Sequence, residues 1–220
     1  MFSKKILISF LPILCLPLLT GCNAGNESLQ SQNNNEEVLK LLYWQAPTIL
    51  NPHLSNGSKD WEASRITLEP LASFNNDSEL IPILAAEVPT EENGLIAADG
   101  KSVTWKLKEG IKWSDGTPFT AADVIFTYEF ATNPDVGAIT AGIYDSIESI
   151  DAIDDYTIRI NFKEVNPAWF SVFVGSDGTI LPKHIFEEYN GANARQAPAN
   201  LMPVGTGPVS YTHLRAHETF

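Results

Sequence analysis

Apolar and polar positions alternate with period two over 156–162. Tyr156, Ile158, Ile160 and Phe162 are apolar, and Thr157, Arg159 and Asn161 fall between them. This predicts a half-buried strand, and the turn residues Asp154-Asp155 before it predict a hairpin over 145–162. A second alternation runs through Trp105, Leu107, Ile111 and Trp113, with Lys106 and Lys108 between the first members. Asp115-Gly116 then signals a turn, because glycine takes the positive φ that such turns need. From Thr120 the period changes. Val124, Tyr128 and Ala131 recur at helical spacing with Ile125 beside them, and Asn133-Pro134 ends the run. Thr120 with Asp123 three residues on has the form of a capping box.

Weaker patterns fill the rest. Residues 38–44 are apolar enough for a buried strand, and Pro47 and Pro52 forbid helix just after. Trp61, Arg65 and Leu68 predict a helix over 60–71 capped by Asp60. Residues 75–77 and 91–100 read as turns. Pro82 makes 80–85 an edge strand or strand end. Residues 168–173 predict a buried helix, and Pro182 opens another. The glycines of 203–208 suit a turn in which main chain approaches a neighbour closely.

The first 21 residues carry Lys4-Lys5 and then a 14-residue apolar run over 6–19, broken by Pro12 and Pro17. A bilayer core needs about 20 such residues, so the segment reads as a secretory signal. Leu19-Thr20-Gly21-Cys22 resembles the bacterial lipobox, which makes Cys22 the expected lipidation site. More than one acyl chain on that residue would give stable attachment. Residues 22–37 are polar and form an expected flexible tether.

Charge and cysteine content narrow the classes. The formal net charge is −13, and loss of residues 1–21 leaves 27 acidic against 12 basic residues, a net −15. This argues against nucleic acid and against docking on anionic lipid by charge. Cys15 falls in the signal and Cys22 would then be the sole thiol, so no internal disulfide is available.

The run Lys112-Trp113-Ser114-Asp115-Gly116-Thr117-Pro118-Phe119-Thr120-Ala121-Ala122-Asp123-Val124 resembles the peptide- and nickel-type extracellular solute-binding proteins of ABC importers, solute-binding family 5. Asn51-Pro52-His53, residues 80–85, Ile180-Leu181-Pro182-Lys183-His184 and Val204-Gly205-Thr206-Gly207-Pro208 are similar to further segments of that family. The resemblance implies an α/β fold of the periplasmic-binding-protein type (class II), represented by its N-terminal part. A split mixed-sheet first lobe would comprise 38–61 and 163–208. A smaller inserted α+β domain would comprise 62–162, and a third domain would be absent. Residues 209–220 lose the pattern and are expected to be a non-native tail.

In that family the segment before the Asn-Pro-His turn lines the ligand cleft through main-chain groups. By position this points to Gln45, Ala46, Pro47 and Thr48, with Pro47 limited to its carbonyl. The implied partners are a peptide or small solute, the transmembrane subunits of an ABC permease, and the membrane through a lipid on Cys22. The protein is expected to be an exported, envelope-anchored monomer without cofactor. His53 reads as a loop support, and His184 beside Lys183 does not make a metal set. His213 and His217 provide only two ligands.

No nucleophile–base–orienter set, P-loop or His-Glu-x-x-His motif is present, so no catalytic residue is expected. Asp154-Asp155 and Glu187-Glu188 are adjacent pairs that diverge rather than face one another. Two other readings stay open: an exported hydrolase fragment and an envelope lipoprotein without a ligand.

Overall fold

The computed structural model describes Leu42 and residues 45–209. The signal segment, Cys22, the tether, the strand expected at 38–44 (save Leu42) and the tail from 210 lie outside the described residues.

Helix α1 (Ser58–Ser64) begins after Gly57 and is much shorter than the predicted 60–71. Asp60 does not cap it as expected. Asp60 sits inside the first turn and its carboxylate reaches backward along the chain to Thr48. Beyond Ser64 the chain continues in turns, in which the Thr67 hydroxyl donates to the Ser64 carbonyl, and Pro70 disfavours helical geometry at Glu69. Strands β1 (Ala72–Phe74) and β2 (Leu80–Pro82) then form an antiparallel hairpin, with Ser73 opposite Ile81. Its turn is built by Asn75, whose side-chain oxygen accepts the amides of Asp77 and Glu79, each at 2.9 Å. Three residues are too few to show a period, which is why β1 was not legible in the sequence.

Strand β3 (Ser102–Lys106) is followed by α2 (Ala121–Thr132), β4 (Ile147–Asp154) and β5 (Thr157–Phe162). These strands make an antiparallel sheet in the order β3-β5-β4. Trp105 lies opposite Ile158, and Val103 opposite Ile160. The alternation does what its period requires, placing Val103, Trp105, Ile158, Ile160 and Phe162 in the core. Tyr156 belongs to the turn rather than to β5.

The run from Trp105 to Trp113 is not one strand. It breaks after Leu107, and Gly110 at φ +78° redirects the chain. Ile111 and Trp113 belong to a separate tight loop, closed by Trp113 N–H to the Thr117 carbonyl and Phe119 N–H to that of Ile111.

In α2 the Asp123 side chain accepts the Thr120 amide at 2.9 Å, so the capping box is present. The buried stripe is wider than the predicted one and includes Phe126 and Phe130. Phe130 meets Phe186 of α3 (Lys183–Phe186) edge to face at 5.8 Å.

Residues 168–173 form no buried helix. They make one 3-10 turn, Trp169–Ser171, with Phe170 41% exposed. The Ser171 hydroxyl donates to the Ala168 carbonyl, and Phe173 adopts φ +58° so that its carbonyl can accept the Leu71 amide. Pairing with the β1 region wins over helical propensity.

Candidate functional site

Gln45, Ala46 and Thr48 are exposed and Pro47 is half-buried, in chain without regular secondary structure that dives into the core at Leu50. Among the described residues the main chains of Gln45 and Ala46 have no hydrogen-bond partner. Thr48 differs. Its N–H donates to Asp60 Oδ1 at 2.6 Å, so toward a ligand its main chain retains only the carbonyl. Pro47 has no N–H. Of the four predicted residues, Gln45 and Ala46 therefore keep both a donor and an acceptor.

Asp60 organises this corner, a role the sequence did not suggest. The Thr48 hydroxyl donates to Asp60 Oδ2 at 3.1 Å and accepts from Lys59 Nζ at 3.0 Å. Lys59 Nζ also donates to Asp60 Oδ1 at 2.9 Å, which closes a ring of three side chains. The Ser55 hydroxyl adds a bond at 3.1 Å. The Lys59 and Asp60 side chains are only 10% and 4% exposed. Burial by itself would raise the Asp60 pKa, but the donors from Lys59, Thr48, Ile49 and Ser55 together hold it below its usual value. Asp60 lies 12 residues from Thr48, a separation that carries no local pattern.

Behind this corner, the segment is tied into the fold. Leu50 N–H donates to the Asn200 carbonyl at 2.6 Å, and Asn51 meets the Asn200 side chain at 3.2 Å. His53 is fully buried. Its Nε2 faces the Thr179 carbonyl at 2.8 Å and so carries the proton, which leaves Nδ1 to accept from the Thr140 hydroxyl at 2.6 Å. Both ring nitrogens are occupied within the fold. Burial pulls the His53 pKa down to about 4, against smaller upward pulls from the Thr179 carbonyl and Asp177.

The other sequence motifs meet one another. Ser114 N–H donates to the Gly205 carbonyl at 2.9 Å, and the Gly207 amide donates to Thr67 at the same distance. A Cβ on Gly205 would stand 1.7 Å from the Thr67 carbonyl oxygen, so glycine is required by the close approach. His184 Nε2 lies 2.7 Å from Asp115 Oδ2, beside the Trp113 ring. Asp123 caps α2 with one oxygen and accepts the Lys183 amide at 2.9 Å with the other. Burial pushes the Asp123 pKa up, against the opposing pull of the Lys183 and Thr120 amides. These residues hold elements together, and none of them belongs to the predicted ligand segment.

A concavity of about 840 Å³ opens beside Lys106, Lys108, Asp154, Asp155 and Tyr156 and shares no residue with 45–48. It is shallow and wide open, so it offers no enclosure for a small ligand. Among the described residues no cluster of three or more His, Cys, Asp or Glu could hold a metal.

The profile of the bacterial extracellular solute-binding proteins, family 5 (middle region), matches residues 79–217. The chain belongs to that family. The match contains the 112–124, 180–184 and 204–208 motifs and runs on into the 209–220 tail. The glutathione-binding protein GsiB of Pectobacterium atrosepticum is 27% identical over 164 residues, which cover 74% of this chain and 30% of that protein. An ABC transporter peptide-binding protein of Brucella ovis is 30% identical over 162 residues, covering 73% and 29%. The oligopeptide-binding protein AppA of Bacillus subtilis, solved with a nonapeptide, superposes at a TM-score of 0.65 with 24% identity, covering 74% of this chain and 31% of that one. The last likeness concerns the fold, which is the mixed α/β architecture of periplasmic binding proteins. This family 5 chain spans about 30% of the length of the curated relatives it matches.

Proposed function

We propose that this protein is the solute receptor of an ABC importer. It takes up oligopeptides or a related small solute outside the cytoplasmic membrane and delivers them to the permease subunits. It works as a monomer held at the envelope by lipid on Cys22. The observation that carries the reading is the family match over residues 79–217. The names of the Pectobacterium and Brucella relatives support a peptide-like solute. The main chain of Gln45 and Ala46, without a hydrogen-bond partner among the described residues, supports recognition through the peptide backbone, which accepts many side-chain sequences.

The test is calorimetric titration of the purified protein with trialanine, glutathione and a mixed-sequence nonapeptide. Saturable binding of at least one supports the receptor reading. No saturable binding to any of the three overturns it for peptides.

A further inference from the structure

We propose that Asp60 is a positioning residue for solute binding, which holds the 45–48 segment in its presenting conformation through the ring it forms with Thr48 and Lys59. The inference rests on the receptor reading above and goes beyond it, because Asp60 itself lies behind the segment and need not touch the solute.

The geometry argues this in three steps. Residues 45–48 lack strand or helix partners among the described residues, so no ladder fixes their course. A ligand wall of unpaired main chain is useful only if its donors and acceptors are held before the solute arrives, since ordering them on binding weakens affinity. Among the described residues, the polar side chains that hold this segment at its inner end are Lys59 and Asp60 of α1. The Asp60 carboxylate takes the Thr48 amide at 2.6 Å and the Ile49 amide at 3.4 Å.

The carboxylate is itself held by other donors. Lys59 Nζ and the Ser55 hydroxyl bind it at 2.9 and 3.1 Å, and Trp61 Nε1 closes the loop beneath onto the Ser55 carbonyl at 2.7 Å. A charged acceptor forms stronger bonds to N–H donors than a neutral one, and here it is shielded from water. Lys59 also anchors the Thr48 hydroxyl, so two independent bonds determine where Thr48 points. Thr48 is thereby fixed, and the exposed Gln45 and Ala46 that precede it have no main-chain partner among the described residues.

The experiment compares the wild type with Asp60→Ala, Asp60→Asn and Thr48→Val. Hydrogen exchange of the Thr48 and Ile49 amides is measured without ligand, and trialanine, glutathione and nonapeptide binding by calorimetry. Asp60→Ala is expected to speed exchange at both amides and weaken binding about tenfold or more. Asp60→Asn keeps one carbonyl acceptor but loses the ionic partner of Lys59, and should fall between the two. Thr48→Val removes only the hydroxyl and should weaken binding about threefold; it carries the test if Asp60→Ala does not fold. Wild-type affinity should also drop as acid protonates Asp60, and Asp60→Asn should lose less affinity over the same pH range. A wild type that binds while Asp60→Asn and Thr48→Val bind within twofold of it overturns the positioning role and leaves the receptor reading intact. A wild type that binds none of the three probes overturns the receptor reading and the positioning role with it.

Discussion

The Asp123 carboxylate joins the N-terminus of its own helix to that of α3, whose first residue, Lys183, lies 60 residues further along the chain. One oxygen accepts the Thr120 amide and the other the Lys183 amide, each at 2.9 Å. The side chain is nearly fully buried between α2 and α3. A single residue therefore caps its own helix and docks the next one.

Asp123→Ala leaves both amides without their acceptor. A lost cap costs about 1 kcal/mol and an unsatisfied buried donor about 1–3 kcal/mol more. The expected loss of unfolding free energy is about 2–4 kcal/mol, read from urea denaturation. A loss of about 1 kcal/mol would show that only the cap contributes, and one below about 0.5 kcal/mol that neither bond does.

His53 makes stability depend on pH. Its folded pKa of about 4 lies below the ordinary 6.5, so the unfolded chain binds more protons between those values. Stability from the neutral, buried ring is fully present above pH 6.5 and is lost as pH falls toward 4. A shift of this size corresponds to about 3 kcal/mol. Urea unfolding of the wild type and His53→Gln at pH 7.5 and 4.5 checks this. The wild type should lose more stability between the two pH values than the variant, and equal losses would refute the assignment.

Gly205→Ala places a methyl group 1.7 Å from the Thr67 carbonyl oxygen. The turn has to move, which breaks the Ser114–Gly205 pairing as well, and the expected cost is about 3 kcal/mol. Gly116→Ala makes the contrast. It has φ +91° but open space around it, so only backbone strain of about 1–2 kcal/mol applies. Thermal unfolding should rank Gly205→Ala below Gly116→Ala; the reverse order would mean the close approach at Thr67 is not retained in solution.

Cys22 is the proposed lipidation site. Cys22→Ser should move the protein from the detergent-rich to the aqueous phase in a cloud-point separation, because acyl chains supply the membrane affinity. Unchanged partitioning of the variant would refute lipidation at this residue.

Local chemistry was legible without the fold. The Thr120–Asp123 cap depends on residues three apart, and the β4–β5 hairpin on strict alternation beside a turn, so both were predicted and both are present. Helix length was not legible for the opposite reason. Trp61, Arg65 and Leu68 have helical spacing, yet α1 ends at Ser64 and the chain runs on in turns toward Pro70. Residues 168–173 are apolar enough for a helix, but the Phe173 main chain turns so that its carbonyl accepts the amide of Leu71, about a hundred residues away, while its side chain stays fully buried. In the candidate site the position of 45–48 followed from a resemblance in sequence. The withdrawal of the Thr48 amide, and the Lys59–Asp60 ring that causes it, did not.

The sequence by itself determined the short-range vocabulary: turns, caps, alternating strands and the motifs that place the chain in family 5. Those properties are encoded in residues within a few positions of one another, where sterics and hydrogen bonding act whatever the rest of the chain does. Only the tertiary structure decided what those motifs are for. It brought Ser114 to Gly205, Asp115 to His184, His53 to Thr179 and Thr48 to Asp60. Such pairings are set by how buried polar groups find partners once the core has closed, and a buried donor can donate to any well-placed oxygen regardless of its distance along the chain.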